Sequence, residues 1–162
     1  VEGFNKAKTN KKLVVVGDVP YSDDYSKRIK SYASDKIVFT GYVYDQDLLM
    51  ELYSNAYVYI HGHEYGGTNP TLLKALAYGC SILALDTQFS REVLLDEKHG
   101  YYFDKSADSI SSVIETIDSQ TDQVNIQKLR SRDRIREKYS WNRIASEYDN
   151  LFRRMIKSDL DK

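Results

Sequence analysis

A chain of 162 residues with a formal net charge of −1 is long enough to bury one ordinary core and too evenly charged for a dedicated nucleic-acid binder. Its single cysteine, Cys80, excludes an internal disulfide and fits a reducing cytoplasm, and no apolar run is long enough to span a bilayer. With no signal peptide and no low-complexity tract, residues 1–162 read as one soluble domain.

Val1, Phe4 and Ala7 fall on one helical face with nothing before them to start it, so the chain is expected to begin inside a domain. Leu13 to Val16, closed by Gly17-Asp18, has the apolar character of a central parallel strand. Tyr25, Ile29, Tyr32 and Ala33 supply a crossover helix to the strand Ile37-Val38-Phe39, which stops at Gly41 and completes a βαβ unit. Asp45-Gln46-Asp47 opens the next helix, with Leu48, Leu49, Leu52 and Tyr53 inward. An Asp-x-Asp triplet can clamp a divalent ion, but here it reads first as a cap and a dipole complement.

The strand Ala56 to Ile60 leads into HGHEYGGTNPTLLKALAYG, residues 61–79. Gly66-Gly67 lets the chain turn and a ligand approach bare backbone. Asn69 stands at an N-cap position with Pro70 as the first helical residue, and Gly79 ends the helix. Free N–H groups and the positive dipole end at such a start suit an anion such as a diphosphate; the same residues also describe a well-capped loop. A strand Ser81 to Leu85 follows, then a turn, a short helix capped by Ser90 and carrying Arg91 and Glu92, and the strand Tyr101 to Phe103.

Three helices are expected in the remainder. Ile110, Val113, Ile114 and Ile117 mark the first; Ile126, Leu129 and Ile135 mark the second, whose Arg130, Arg132, Arg134, Arg136 and Lys138 read as a solvated face rather than a nucleic-acid stripe. The third, over 140–157 and capped by Ser140, carries the cleanest amphipathic stripe, Trp141 through Met155, suited to core or domain-interface packing. Alternating strands and helices imply an α/β, Rossmann-like, mostly parallel sheet with helices on both faces. Its ligand edge would gather Gly17-Asp18, Gly41-Tyr42, residues 61–69 and residues 86–92. His61, His63 and His99 could be imagined as a metal site, but no cysteine or well-placed carboxylate pair completes it.

The succession KLVVVGD, IVFTGYVYD, LYSNAYVYIHGHEYGGTNPTLLKALAYG, FSREVL and YSWNRIASEYDNLF resembles the C-terminal, nucleotide-sugar-binding domain of a GT-B retaining glycosyltransferase, in its rhamnosyltransferase-like branch. The resemblance implies that Gly66, Gly67, Thr68 and Asn69 lie against the donor diphosphate and that Tyr42 and Val43 lie beside the base. It further implies that His61 and His63 face the sugar or support the loop, with Glu64 beside the pocket and Arg91 and Glu92 near sugar and phosphate. No metal or other cofactor is expected, because the leaving group is neutralised by basic side chains and a helix end. The implied partners are a nucleoside-diphosphate sugar and a glycan or glycolipid acceptor held by a separate N-terminal domain, with work at the cytoplasmic membrane face.

Two departures stand out. The wider group places a ribose-binding glutamate where this chain has Lys74, which cannot accept hydrogen bonds from ribose hydroxyls. The family's first strand, with its Gly-Arg loop, would precede Val1, leaving a slot between the strands at Leu13 and Tyr57. Direct pairing, a second copy of the chain, or residues outside the 162 would have to close it, and an open gap would count against all three. Alternatives to a transferase are a non-catalytic interaction module, a sugar-nucleotide epimerase lacking an evident acid and base pair, and a dehydrogenase lacking G-x-G-x-x-G.

Overall fold

In a computed structural model describing residues 1–160, a short helix, α1 (Glu2–Lys6), precedes the first βαβ unit. That unit is β1 (Leu13–Val16), α2 (Asp24–Lys30) and β2 (Ile37–Gly41), with β1 and β2 parallel. Then come α3 (Gln46–Asn55), β3 (Tyr59–His61), α4 (Pro70–Ala77), β4 (Ile82–Leu85), α5 (Gln88–Leu94) and β5 (Tyr101–Phe103). Helices α6 (Ala107–Asp118), α7 (Thr121–Lys138) and α8 (Trp141–Leu160) finish the described chain.

The strands form two parallel sheets rather than one, β1-β2 and β3-β4-β5. Strands β1 and β3 do not pair, so the slot is open in the single chain, which corrects closure by direct pairing and runs against the expectation that the slot is closed. β4 is the centre of the core: paired on both edges and buried at every position, it sends Ile82 and Ala84 to one face and Leu83 to the other. Leu72, Ala75, Leu76, Val93 and Leu94 from α4 and α5 cover the first face; Ile117 and Val124 from α6 and α7 cover the second.

Several boundaries differ from expectation. Ala56 ends α3, its N–H donating to the Tyr53 carbonyl, and the strand runs over 59–61 instead of 56–60. Helix α5 starts before Ser90: the Thr87 hydroxyl accepts from the Ser90 N–H at 3.1 Å, so Thr87 is the cap and Ser90 is buried one turn in. The last helix occupies Trp141–Leu160 rather than 140–157.

Helix α7 turns a different face inward from the one its apolar residues mark. Ile126 and Leu129 are exposed, Ile135 is half-buried and packs on the core as expected, and the buried face is Val124, Gln127, Ser131 and Arg134. Those polar groups meet backbone that lacks partners at element ends. The Ser131 hydroxyl donates to the Cys80 carbonyl at 2.6 Å, and the Ser81 hydroxyl donates to Gln127 at 3.0 Å. The Arg134 guanidinium donates to the carbonyls of Val93 (2.6 Å) and Glu92 (2.9 Å), closing the C-terminus of α5. Arg134 thus departs from the expected solvated face, while Arg130, Arg132 and Arg136 remain exposed.

Candidate functional site

The site starts where β3 ends. His61 is the last strand residue and 3% exposed; two residues on, His63 emerges on the same side, and their rings stack at 5.1 Å with 11° between planes. Behind them the stack continues through Tyr59, Tyr53 and Tyr78, each ring within 6.2 Å of the next. Burial, reinforced by His63, pushes the His61 imidazole down to about 4, so it is neutral near pH 7.

The chain then crosses the cleft as an exposed loop and enters α4. Gly66 has φ +113°, a conformation that a side chain would strain, and Gly67 faces open space. Asn69 caps α4, its side-chain oxygen accepting from the Thr71 N–H at 2.9 Å, and Pro70 opens the helix. Among the described residues, the N–H groups of Gly66, Gly67 and Thr68 donate to no protein acceptor. A shallow, solvent-open cleft lies here, bounded by His61, His63, Gly66, Gly67 and Asn69 and walled by Tyr65, Leu72, Phe89 and Val93. Unpartnered donors just ahead of a helix start, near a neutral imidazole and apolar walls, suit an anion attached to a less polar group.

The other candidates lie outside this lining. Gly17 donates to the Gly41 carbonyl at 2.8 Å beyond β1, and exposed Tyr42 stacks on Tyr44 at 5.9 Å beside Val43. Lys74 is exposed on the second turn of α4. Arg91 makes a two-pronged pair with Asp86 (2.5 and 2.7 Å) and stands 4.6 Å over the Tyr102 ring, facing a separate cleft along β5. The pair raises the Arg91 pKa and lowers that of Asp86. Glu92 presents an exposed side chain and uses its carbonyl to accept from Arg134.

Asp45 caps α3 through the N–H groups of Asp47 and Leu48. Among the described residues no group of three or more His, Cys, Asp or Glu is placed to hold a metal ion. His99 precedes β5, at the end of the parallel sheet opposite His61, with both ring nitrogens buried and unpartnered.

Sequence reasoning missed Phe89, Ser90, Leu72 and Val93 as lining residues, because their contact with the loop depends on how α4 and α5 meet. It also missed an ion pair between Lys105, after β5, and Glu64, at 2.5 Å. The glycine-rich loop is thereby tied to the end of another strand, and no local pattern marks a pairing across 41 residues.

The family model for group 1 glycosyl transferases matches residues 1–137. An uncharacterized glycosyltransferase of Methanocaldococcus jannaschii, MJ1069, is 28% identical over 153 residues, covering 89% of this chain and 37% of that protein. Sucrose-phosphate synthase from Thermosynechococcus elongatus superposes with TM-score 0.75 at 21% identity, over 91% of this chain and 39% of its own. Anabaena HepE, solved in complex with UDP, gives TM-score 0.77 at 11% identity, over 93% and 43%. The C-terminal domain of a group 1 protein, LpcC, from Francisella tularensis gives 0.74 at 20% identity, over 86% and 77%. The fold is therefore that of GT-B glycosyltransferases, and the chain spans 37% of the length of MJ1069 and of a second curated relative, MJ1607.

Proposed function

Since the chain belongs to the group 1 glycosyl transferases, we propose that it is the donor-binding half of a sugar transferase. It would take a nucleoside-diphosphate sugar, with rhamnose as the candidate sugar, for transfer to a polysaccharide or glycolipid acceptor. The observation that carries this reading is the set of N–H groups at Gly66, Gly67 and Thr68, without protein acceptors, just ahead of α4, with Gly66 and Gly67 lining the cleft. The diphosphate would lie against these groups without a metal, and the sugar would extend toward His61, His63 and the Phe89 wall. Arg91 and Glu92 would approach only by rearrangement, since Arg91 is held on Asp86. Tyr42, Val43 and Gly17 belong to the nucleotide side in this reading.

The acceptor would be held by a further domain, so the chain by itself would bind nucleotide and turn over little. Work at the cytoplasmic face of a membrane, and a homodimer closing the open edge of β1, belong to the same proposal. No described helix is long and apolar enough to cross a bilayer. A second reading, a fold that kept its shape and lost its donor, is favoured by Lys74, whose ammonium offers ribose hydroxyls no acceptor.

The test is a titration with UDP, GDP and dTDP, without added metal, followed by residue-resolved NMR. Shifts centred on residues 66–69 for one nucleotide are expected. Silence to all three would remove the donor-site reading and leave the second.

A further inference from the structure

The cleft along β5 is the larger of the two, an open groove of about 510 Å³ that shares no lining residue with the cleft at the glycine-rich loop. It runs beside the strand from Gly100 to Asp104, about 13 Å of extended chain. Strand β5 is the edge of its sheet remote from β3, and the open slot borders β3, so the groove lies on the opposite side from any strand that fills the slot.

Three carboxamides converge on this groove. Gln120, just ahead of α7, and Gln123 and Gln127 within it fall at i, i+3 and i+7 on one helical face, and all three line the groove. Gln127 is the fixed member: it is 2% exposed, and its side-chain oxygen accepts from the buried Ser81 hydroxyl at 3.0 Å. That bond commits the oxygen and leaves the amide nitrogen, which donates to no acceptor among the described residues and is not sealed from solvent. Buried amides are normally satisfied on both atoms, so the groove holds a place for an acceptor.

The charges lining the groove are mostly closed on one another. Arg91 is held by Asp86 on both prongs and by Asp96 besides, and Asp104 is the remaining carboxylate. A phosphate or carboxylate ligand would meet no unpaired cation there and one repelling charge. An apolar ligand would leave the carboxamides without partners. A hydroxyl both donates and accepts, as a carboxamide does, and a second hydroxyl can donate to Asp104. We propose that the groove binds a neutral oligosaccharide, whose hydroxyls pair with Gln120, Gln123, Gln127 and Asp104 and whose rings lie along the half-buried aromatic residues of β5. This site is separate from the donor cleft and does not depend on what that cleft takes.

The experiment titrates the 162-residue chain with maltotriose, cellotriose and mannotriose, with sialyllactose as the charged control, and follows residue-resolved NMR at low and high salt. At least one neutral trisaccharide is expected to shift residues 100–104 and 120–127 and to leave residues 66–69 unmoved, with an affinity that salt does not change. The double variant Gln120→Ala/Gln123→Ala removes two exposed side chains and should weaken that binding by about tenfold. Gln127→Met should weaken it at least as much; it also takes the acceptor from Ser81, so if it fails to fold the exposed double variant decides. Shifts confined to residues 61–69, binding of sialyllactose alone, or no response to any neutral trisaccharide overturns the proposal. So does an unchanged affinity in the double variant. Silence to UDP, by contrast, would remove the donor-site reading and leave this site standing.

Discussion

Single residues carry the chemistry, and three of them respond in opposite ways to change. Lys74→Glu should tighten nucleotide binding by about tenfold, since a carboxylate accepts from ribose hydroxyls where an ammonium cannot; unchanged or weaker affinity by calorimetry would remove the ribose argument. His61 and His99 act on stability instead. Burial lowers both pKa values, His61 from 6.5 to about 4. The unfolded chain therefore binds protons first on acidification. Stability contributed by the neutral rings is present above about pH 6.5 and is lost as pH falls toward 4, with His61 contributing on the order of 3 kcal/mol. Urea midpoints between pH 7 and pH 4.5 should fall accordingly, and His61→Asn should flatten the slope. A profile unchanged by that substitution would mean that other groups set the acid limit.

At the scale of elements, α4 was the most legible part of the chain and α7 the least. Asn69, Pro70 and Gly79 each have a local backbone task, and all three perform it: Gly79 takes φ +82° just past the helix end. Local tasks leave local signatures. Helix α7 is held in large part by carbonyls of Cys80, Glu92 and Val93, which lie outside it, so its inward face is mostly polar and of its marked apolar residues only Ile135 reaches the core. The same reason hid Phe89 and the Glu64–Lys105 pair, whereas the Gly66-Gly67 turn and the His61-x-His63 exit from β3 could be read from spacing alone. Arg134→Ala should therefore destabilise the chain by about 3 kcal/mol, because it strips charged donors from buried carbonyls. Arg132→Ala, two residues along on the exposed side, where the guanidinium makes one long bond to the Tyr78 carbonyl at 3.4 Å, should cost no more than about 1 kcal/mol. Equal effects in denaturant titrations would mean that α7 is held by its apolar contacts after all.

Across the whole molecule, stability is unevenly spread. The sheet β3-β4-β5 is packed on both faces, whereas α2 and α3 contribute no buried residue and Val14, Val16 and Val38 of the β1-β2 pair are exposed. Opening the first βαβ unit loses little burial, so its amides should exchange with solvent well before those of β4. Uniform protection across both sheets would show that the two open together. Helix α8 adds a second open surface: Tyr148, Leu151, Phe152, Met155 and Ile156 are all exposed along its stripe. Trp141, the only tryptophan of the chain, stands on that stripe at 86% exposure. The protein thus has a built-in optical reporter that ignores its own unfolding. The indole is already in water when the chain is native, so denaturant should scarcely move its emission. Anything that settles on α8 should shift that emission to the blue.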